Sequence, residues 1–202
     1  NGPAPAPTAT PSPAASATPA GGFATTAVAQ FDSPWAIAFL PDARILVTQK
    51  DGQMLLVSAD GRQRRTIATL PVSSAGQGAL MDVVAAPDFA RSRRVYFSYS
   101  AAGDGGKGVV LARGVLDDAP GAERLRSIEA LYRATPLVDG DGHFSGRIAF
   151  SPDGQYLFFT AGDRQKFTPA QDKDASLGKV LRLTPDGKPA AGNPLAAQGF
   201  LP

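Results

Sequence analysis

Three stretches of this chain repeat one plan. WAIAFLPD at 35–42 leads into ILVT at 45–48, LMDVVAAPD at 80–88 into VYFS at 95–98, and RIAFSPD at 147–153 into YLFFT at 156–160. Each copy is a short run of strand-forming apolar residues, a Pro-Asp turn and a second apolar run. The Asp residues at 42, 88 and 153 stand 46 and 65 residues apart. Pro-Asp turns occur in many all-β proteins, but here matching strands flank each one. Strand-rich repeats of about 40–50 residues mark a β-propeller, in which every blade buries its faces against its neighbours. The expectation is therefore an all-β fold. Further strands are predicted at 54–58, 65–70, 109–116 and 179–183, while 125–132 reads equally as a helix or an outer strand. At this repeat length, residues 23–202 hold about three blades plus part of a fourth. No strand near residue 202 is suited to pair back onto the start, so the chain is expected to be the N-terminal part of a longer protein.

Residues 1–22 contrast with the rest: six prolines, seven alanines and no charge. Such a Pro/Ala/Thr-rich segment buries too little apolar surface to offset its ordering entropy, and reads as a disordered linker. Tracts of this kind tether exported domains, which suggests a periplasmic or secreted protein. The remainder, 23–202, is the propeller domain. With Lys+Arg 20 against Asp+Glu 18, there is no basic stripe for nucleic acid. Absence of cysteine removes disulfides, thiolate metal sites and thiol nucleophiles. One histidine cannot build a multi-His metal site, so a metal here would take oxygen ligands, as calcium or magnesium do. No apolar run approaches the ~20 residues of a membrane helix, and no Gly-x-Ser-x-Gly offers a serine nucleophile.

Chemistry concentrates in three loops. DGDGHFSGR at 139–147 precedes the first strand of the third repeat, which places His143 at the mouth of a propeller channel. A neutral imidazole is the usual general base near pH 7, and Asp139 or Asp141 is the candidate to orient it. The plain alternative is an exposed histidine beside a Gly-rich turn. SAGQGALMD at 74–82 occupies the equivalent place in the second repeat and puts Gln77 between two glycines. AGDRQKFTPAQD at 161–172 follows the third repeat's second strand; Arg164 and Lys166 there either hold an anion or form a solvated hairpin loop. The predicted core comprises Trp35, Ile37, Phe39, Val83, Ile148, Phe150, Leu157 and Phe159, taken as the inward positions of alternating strands.

Taken in order, SPWAIAFLPD (33–42), GQGALMDVV (76–84), APDF (86–89), RRVYFSYS (93–100), GHFSGRI (142–148), GKVLRL (178–183) and Asn193-Pro194 resemble the soluble quinoprotein glucose/sorbosone dehydrogenase family, in particular its aldose sugar dehydrogenase branch. The resemblance implies a six-bladed propeller that binds pyrroloquinoline quinone and Ca²⁺ and oxidises aldose sugars at C1 to lactones. It implies His143 as the base, Gln77 as a cofactor contact, and Lys166 as a cofactor-binding cation where some members have Arg-Asn. An external electron acceptor and a homodimer belong to the same expectation; the metal ligands stay unassigned. Gly142 stands where some members carry an Asp before the histidine, so that orienting role passes to Asp141. A non-catalytic propeller binding a glycan or a protein partner is the alternative, since one fold hosts both.

Overall fold

A computed structural model describes residues 24–198. The expected linker, 1–22, lies outside the described residues. Residues 24–30 carry no regular secondary structure, and the compact unit begins at Phe31.

Among the described residues eleven antiparallel strands build three sheets. The first holds β1 (Pro34–Phe39), β2 (Ile45–Gln49), β3 (Gln53–Val57) and β4 (Arg64–Thr69). The second holds β5 (Leu80–Ala85), β6 (Arg94–Gly103), β7 (Gly106–Asp117) and β8 (Arg124–Arg133). The third holds β9 (Ser145–Phe150), β10 (Leu157–Ala161) and β11 (Lys179–Leu183). Every strand pairs with its sequence neighbour, which is the meander of a propeller blade. Among the described residues the third sheet ends at three strands and no fourth sheet follows. The ambiguous stretch is strand β8, not a helix. It is the outermost strand of its blade and mostly exposed, so its side chains carry neither period clearly.

The turns follow their residues. Asp42 and Asp153 each turn a carboxylate back onto a backbone N–H two residues on, and Gly154 supplies a left-handed φ of 71°. The middle repeat differs: after Asp88 the chain makes one helical turn, Phe89–Ser92, closed by Arg93 in left-handed conformation.

The core lies between sheets. Leu46, Met54 and Leu56 of the first meet Leu80, Val83, Val95 and Phe97 of the second. The other face of the second sheet, with Met81, Tyr96 and Leu111, meets Ile148, Leu157 and Phe159 of the third and Phe144 just before β9. Of the predicted core, Val83, Ile148, Leu157 and Phe159 are buried and Phe150 half-buried. Trp35, Ile37 and Phe39 are not: they are 38%, 57% and 69% exposed. The face of β1 turned toward the second sheet is Ala36 and Ala38, paired with Thr48 and Leu46. Innermost strands converge at a propeller axis, and only small side chains fit between them there. Gly146 on β9 is kept small by the neighbouring sheet instead, since a Cβ would meet Ser98 Oγ on β6 at 2.8 Å.

The three innermost strands are also joined by polar contacts. Asp82 on β5 is buried; it accepts from Arg147 Nη1 at 2.8 Å and from the Ile148 N–H at 2.7 Å, both on β9. Burial pushes the Asp82 carboxyl above its ordinary range, against the pull of the Ile148 N–H and Arg147. The Arg147 guanidinium lies 5.3 Å from the Trp35 ring centroid on β1, and Thr48 Oγ1 donates to the Met81 carbonyl at 2.6 Å.

Candidate active site

The loop between β4 and β5 and the loop between β8 and β9 each run from an outer strand of one blade to the innermost strand of the next. They therefore emerge on the same face, and Gln77 ties them together. Its backbone N–H donates to the Asp141 carbonyl at 2.7 Å, and its Oε1 accepts the His143 backbone N–H at 2.7 Å. A backbone N–H can only donate, so the amide oxygen must face His143. The Gln77 Nε2 then keeps its two N–H donors for another acceptor. His143 itself sits at φ 49°, in the left-handed region a non-glycine residue adopts at a cost of about 1–3 kcal/mol.

The His143 side chain is 48% exposed, and its Nδ1 lies 2.7 Å from Asp163 Oδ1. Asp163 follows the end of β10. The same Oδ1 accepts the Gln165 backbone N–H at 3.0 Å. Hydrogen bonds from His143 and then from Gln165 hold the Asp163 carboxyl below the usual carboxylate range. An ionised carboxylate only accepts, so the neutral imidazole carries its proton on Nδ1 and leaves the Nε2 lone pair free. That is the tautomer a base needs.

Beside this pair lies a recess of about 360 Å³, lined by Trp35, Lys50, Met81, Phe144, Ser145 and the 76–79 segment that carries Gln77. Lys50 Nζ donates to the Gly76 carbonyl at 2.6 Å. The exposed ring of Trp35, misplaced in the core by its hydrophobicity, is thus part of the recess wall.

A family model described as Glucose / Sorbosone dehydrogenase matches residues 31–201. The chain belongs to this family. It is 39% identical over 168 residues to the aldose sugar dehydrogenase YliI of Escherichia coli K12, covering 82% of this chain and 44% of that protein. The crystal structure of the soluble E. coli aldose sugar dehydrogenase in its apo form superposes with a TM-score of 0.76 at 37% identity, over 85% of this chain and 49% of that one. The PQQ-bound aldose sugar dehydrogenase of Streptomyces coelicolor gives a TM-score of 0.70 at 32% identity, over 83% and 49%. The chain thus spans about half the length of the relatives it matches.

In this family member the orienting carboxylate is neither of the two expected. Asp141 is drawn off by Lys107, whose Nζ it binds, and Asp139 takes no part in these contacts. Asp163 fills the place. Its signal lay in strand register: β10 pairs with β9 so that Ala161 faces Ser145, and two residues further on, position 163 faces 143. Arg164 is not available to an anion. It is 1% exposed, and its guanidinium donates to the carbonyls of Gly142, Lys107 and Gly140 at 2.8, 2.6 and 2.5 Å. Lys166 is exposed on the same loop, with its backbone N–H on the Asp163 carbonyl, and does not line the recess. His143 and Gln77 are brought together; Lys166 is not joined to them by any contact among the described residues.

Proposed function

We propose that this chain supplies the general-base half of a quinone-dependent aldose dehydrogenase, which oxidises the sugar at C1 to the lactone. The observation that carries the reading is the His143–Asp163 pair at 2.7 Å, set beside a recess in a chain of this family. The recess suits a flat, carboxylate-bearing quinone: Trp35 offers planar apolar surface, Lys50 a cation, and Gln77 Nε2 its two free donors. Pyrroloquinoline quinone, when bound, supplies the hydride acceptor. Gln77 and Lys50 would hold its oxygens, while Lys166 would reach it only if the quinone extended beyond the recess.

The protein's own part is proton handling. His143 Nε2 takes the proton of the sugar's C1 hydroxyl as the C1 hydrogen leaves with its electron pair, so the C1–O bond becomes the lactone carbonyl. Asp163 holds the ring on its Nδ1 side and stabilises the imidazolium that forms. Gln77 fixes the backbone on which the ring stands. No three His, Asp or Glu side chains cluster as a metal centre among the described residues. The Pro/Ala/Thr-rich segment supports an exported enzyme that passes its electrons to an external acceptor. No helix among the described residues is long and apolar enough to cross a membrane.

The test is reconstitution of the holoenzyme with pyrroloquinoline quinone and Ca²⁺, followed by dye-linked aldose oxidation. His143→Asn should still bind the quinone while kcat falls about 10²–10⁴-fold, the usual worth of a general base. A variant retaining more than about a third of wild-type kcat would remove His143 from the mechanism.

A further inference from the structure

Arg164 is a buried cation without a salt bridge among the described residues. Removing a guanidinium from water is costly unless its donors are met. Here three backbone carbonyls accept one N–H from each of its three nitrogens. Two belong to the His143 loop, Gly140 and Gly142, and the third, Lys107, to β7 of the neighbouring sheet. The guanidinium carbon also lies 3.6 Å from the centroid of the Phe144 ring. One side chain therefore grips the residue before His143 and the residue after it, and anchors both to a second blade. Its own backbone is left-handed, at φ 54°, and its N–H donates to the His143 carbonyl at 3.3 Å.

We propose that Arg164 is a positioning residue: it occupies a guanidinium-shaped cradle of carbonyls and thereby sets the His143 backbone so that Nδ1 meets Asp163 and Nε2 stays free. Its fork and its delocalised charge are both used, three carbonyls in directions fixed by the planar group and its central carbon over the Phe144 ring. A lysine ammonium, a compact point charge, cannot make both sets of contacts. The kinetic consequence of this inference rests on His143 being the base; its structural content does not.

The chain has a single histidine, so nitrogen NMR of one imidazole reads the tautomer directly. Wild type should show the neutral ring protonated at Nδ1. In Arg164→Ala the loop loses its grip, and the ring should move toward the Nε2-protonated form that free imidazole favours. Millimolar methylguanidinium should refill the cradle and restore the wild-type signal, whereas Arg164→Lys should show the altered tautomer. A core variant of matched stability loss, Phe159→Leu, should leave the tautomer alone. The proposal is overturned if a folded Arg164→Ala keeps the Nδ1 tautomer, or if methylguanidinium restores nothing. Should Arg164→Ala fail to fold, Arg164→Lys decides alone: a wild-type tautomer there refutes the cradle. In the holoenzyme, kcat should fall about tenfold or more, within the range a mispositioned group costs, with KM little changed. A shifted tautomer with unchanged turnover would leave the positioning intact and sink His143 as the base.

Discussion

Replacing Asp163 by Asn isolates the carboxylate's charge from its geometry. Asp163 Oδ1 accepts two hydrogen bonds, from His143 Nδ1 at 2.7 Å and from the Gln165 backbone N–H at 3.0 Å. A backbone N–H cannot accept, so it keeps the Asn amide oxygen where Oδ1 was. The imidazole then retains its Nδ1 proton and its orientation. What disappears is the negative charge that stabilises the imidazolium as the proton arrives. Hydrogen bonds to charged groups are stronger than those between neutral ones. His143 and Asp163 side chains are 48% and 23% exposed, so solvent screening weakens this one. The expected loss is roughly a tenfold fall in kcat, at or below the low end of what a whole general base contributes, shared by kcat/KM because the charge develops only in the transition state. Steady-state kinetics of the quinone-loaded enzyme measure it, and His143→Asn/Asp163→Asn should be no slower than His143→Asn. Either of two results would refute the reasoning. A fall below about twofold would mean that the pair carries no transition-state charge. One above about 10³-fold would mean that the tautomer is lost as well.

Two predictions concern stability. Phe159→Ala, at a fully buried site between the second and third sheets, should cost about 3–5 kcal/mol in chemical denaturation. Ile37→Ala, on the exposed face of β1, should cost under about 1 kcal/mol, and equal losses would show that the facing of β1 is wrong. The last concerns pH. A carboxyl whose value is lowered on folding adds stability that is present above its unfolded value, about 3.9, and is lost as pH falls through the lowered one. The stability gap between wild type and Asp163→Asn should therefore close on acidification below about pH 4, and a gap that widened there would contradict the depressed value.

Strand positions were legible because each blade strand is a short apolar run between turn residues that act locally. β2, β5 and β11 fall on the runs read from the residues, and the remaining strands differ mainly at their ends. Which face of a strand turns inward was less legible. In Trp35-Ala36-Ile37-Ala38-Phe39 both alternating sets are apolar, so hydrophobicity does not choose between them. The choice follows from the approach of β1 to β5, which demands alanine, and proximity of this kind is a property of the assembled blades.

The site shows the same limit more sharply. His143 and Gln77 stand in loops whose place is set by strand order, and strand order was legible. Asp163 stands opposite His143 only because β9 and β10 slip by one. From Leu157↔Phe150 to Phe159↔Ile148 the paired numbers keep one register, and at Ala161↔Ser145 they have shifted. Continued without the slip, the first register would set Asp163 against Phe144 and leave the imidazole of His143 on the opposite face from the carboxylate. The bulge follows from contacts around it. Thr160 Oγ1 accepts the N–H groups of Gly146 and Arg147, at 3.2 and 2.8 Å, and satisfies the backbone donors that the irregular pairing leaves. Gly162 lets the two backbones close, since a Cβ there would meet the His143 carbonyl at 1.9 Å. One hydroxyl and one missing Cβ thus fix which carboxylate reaches the imidazole.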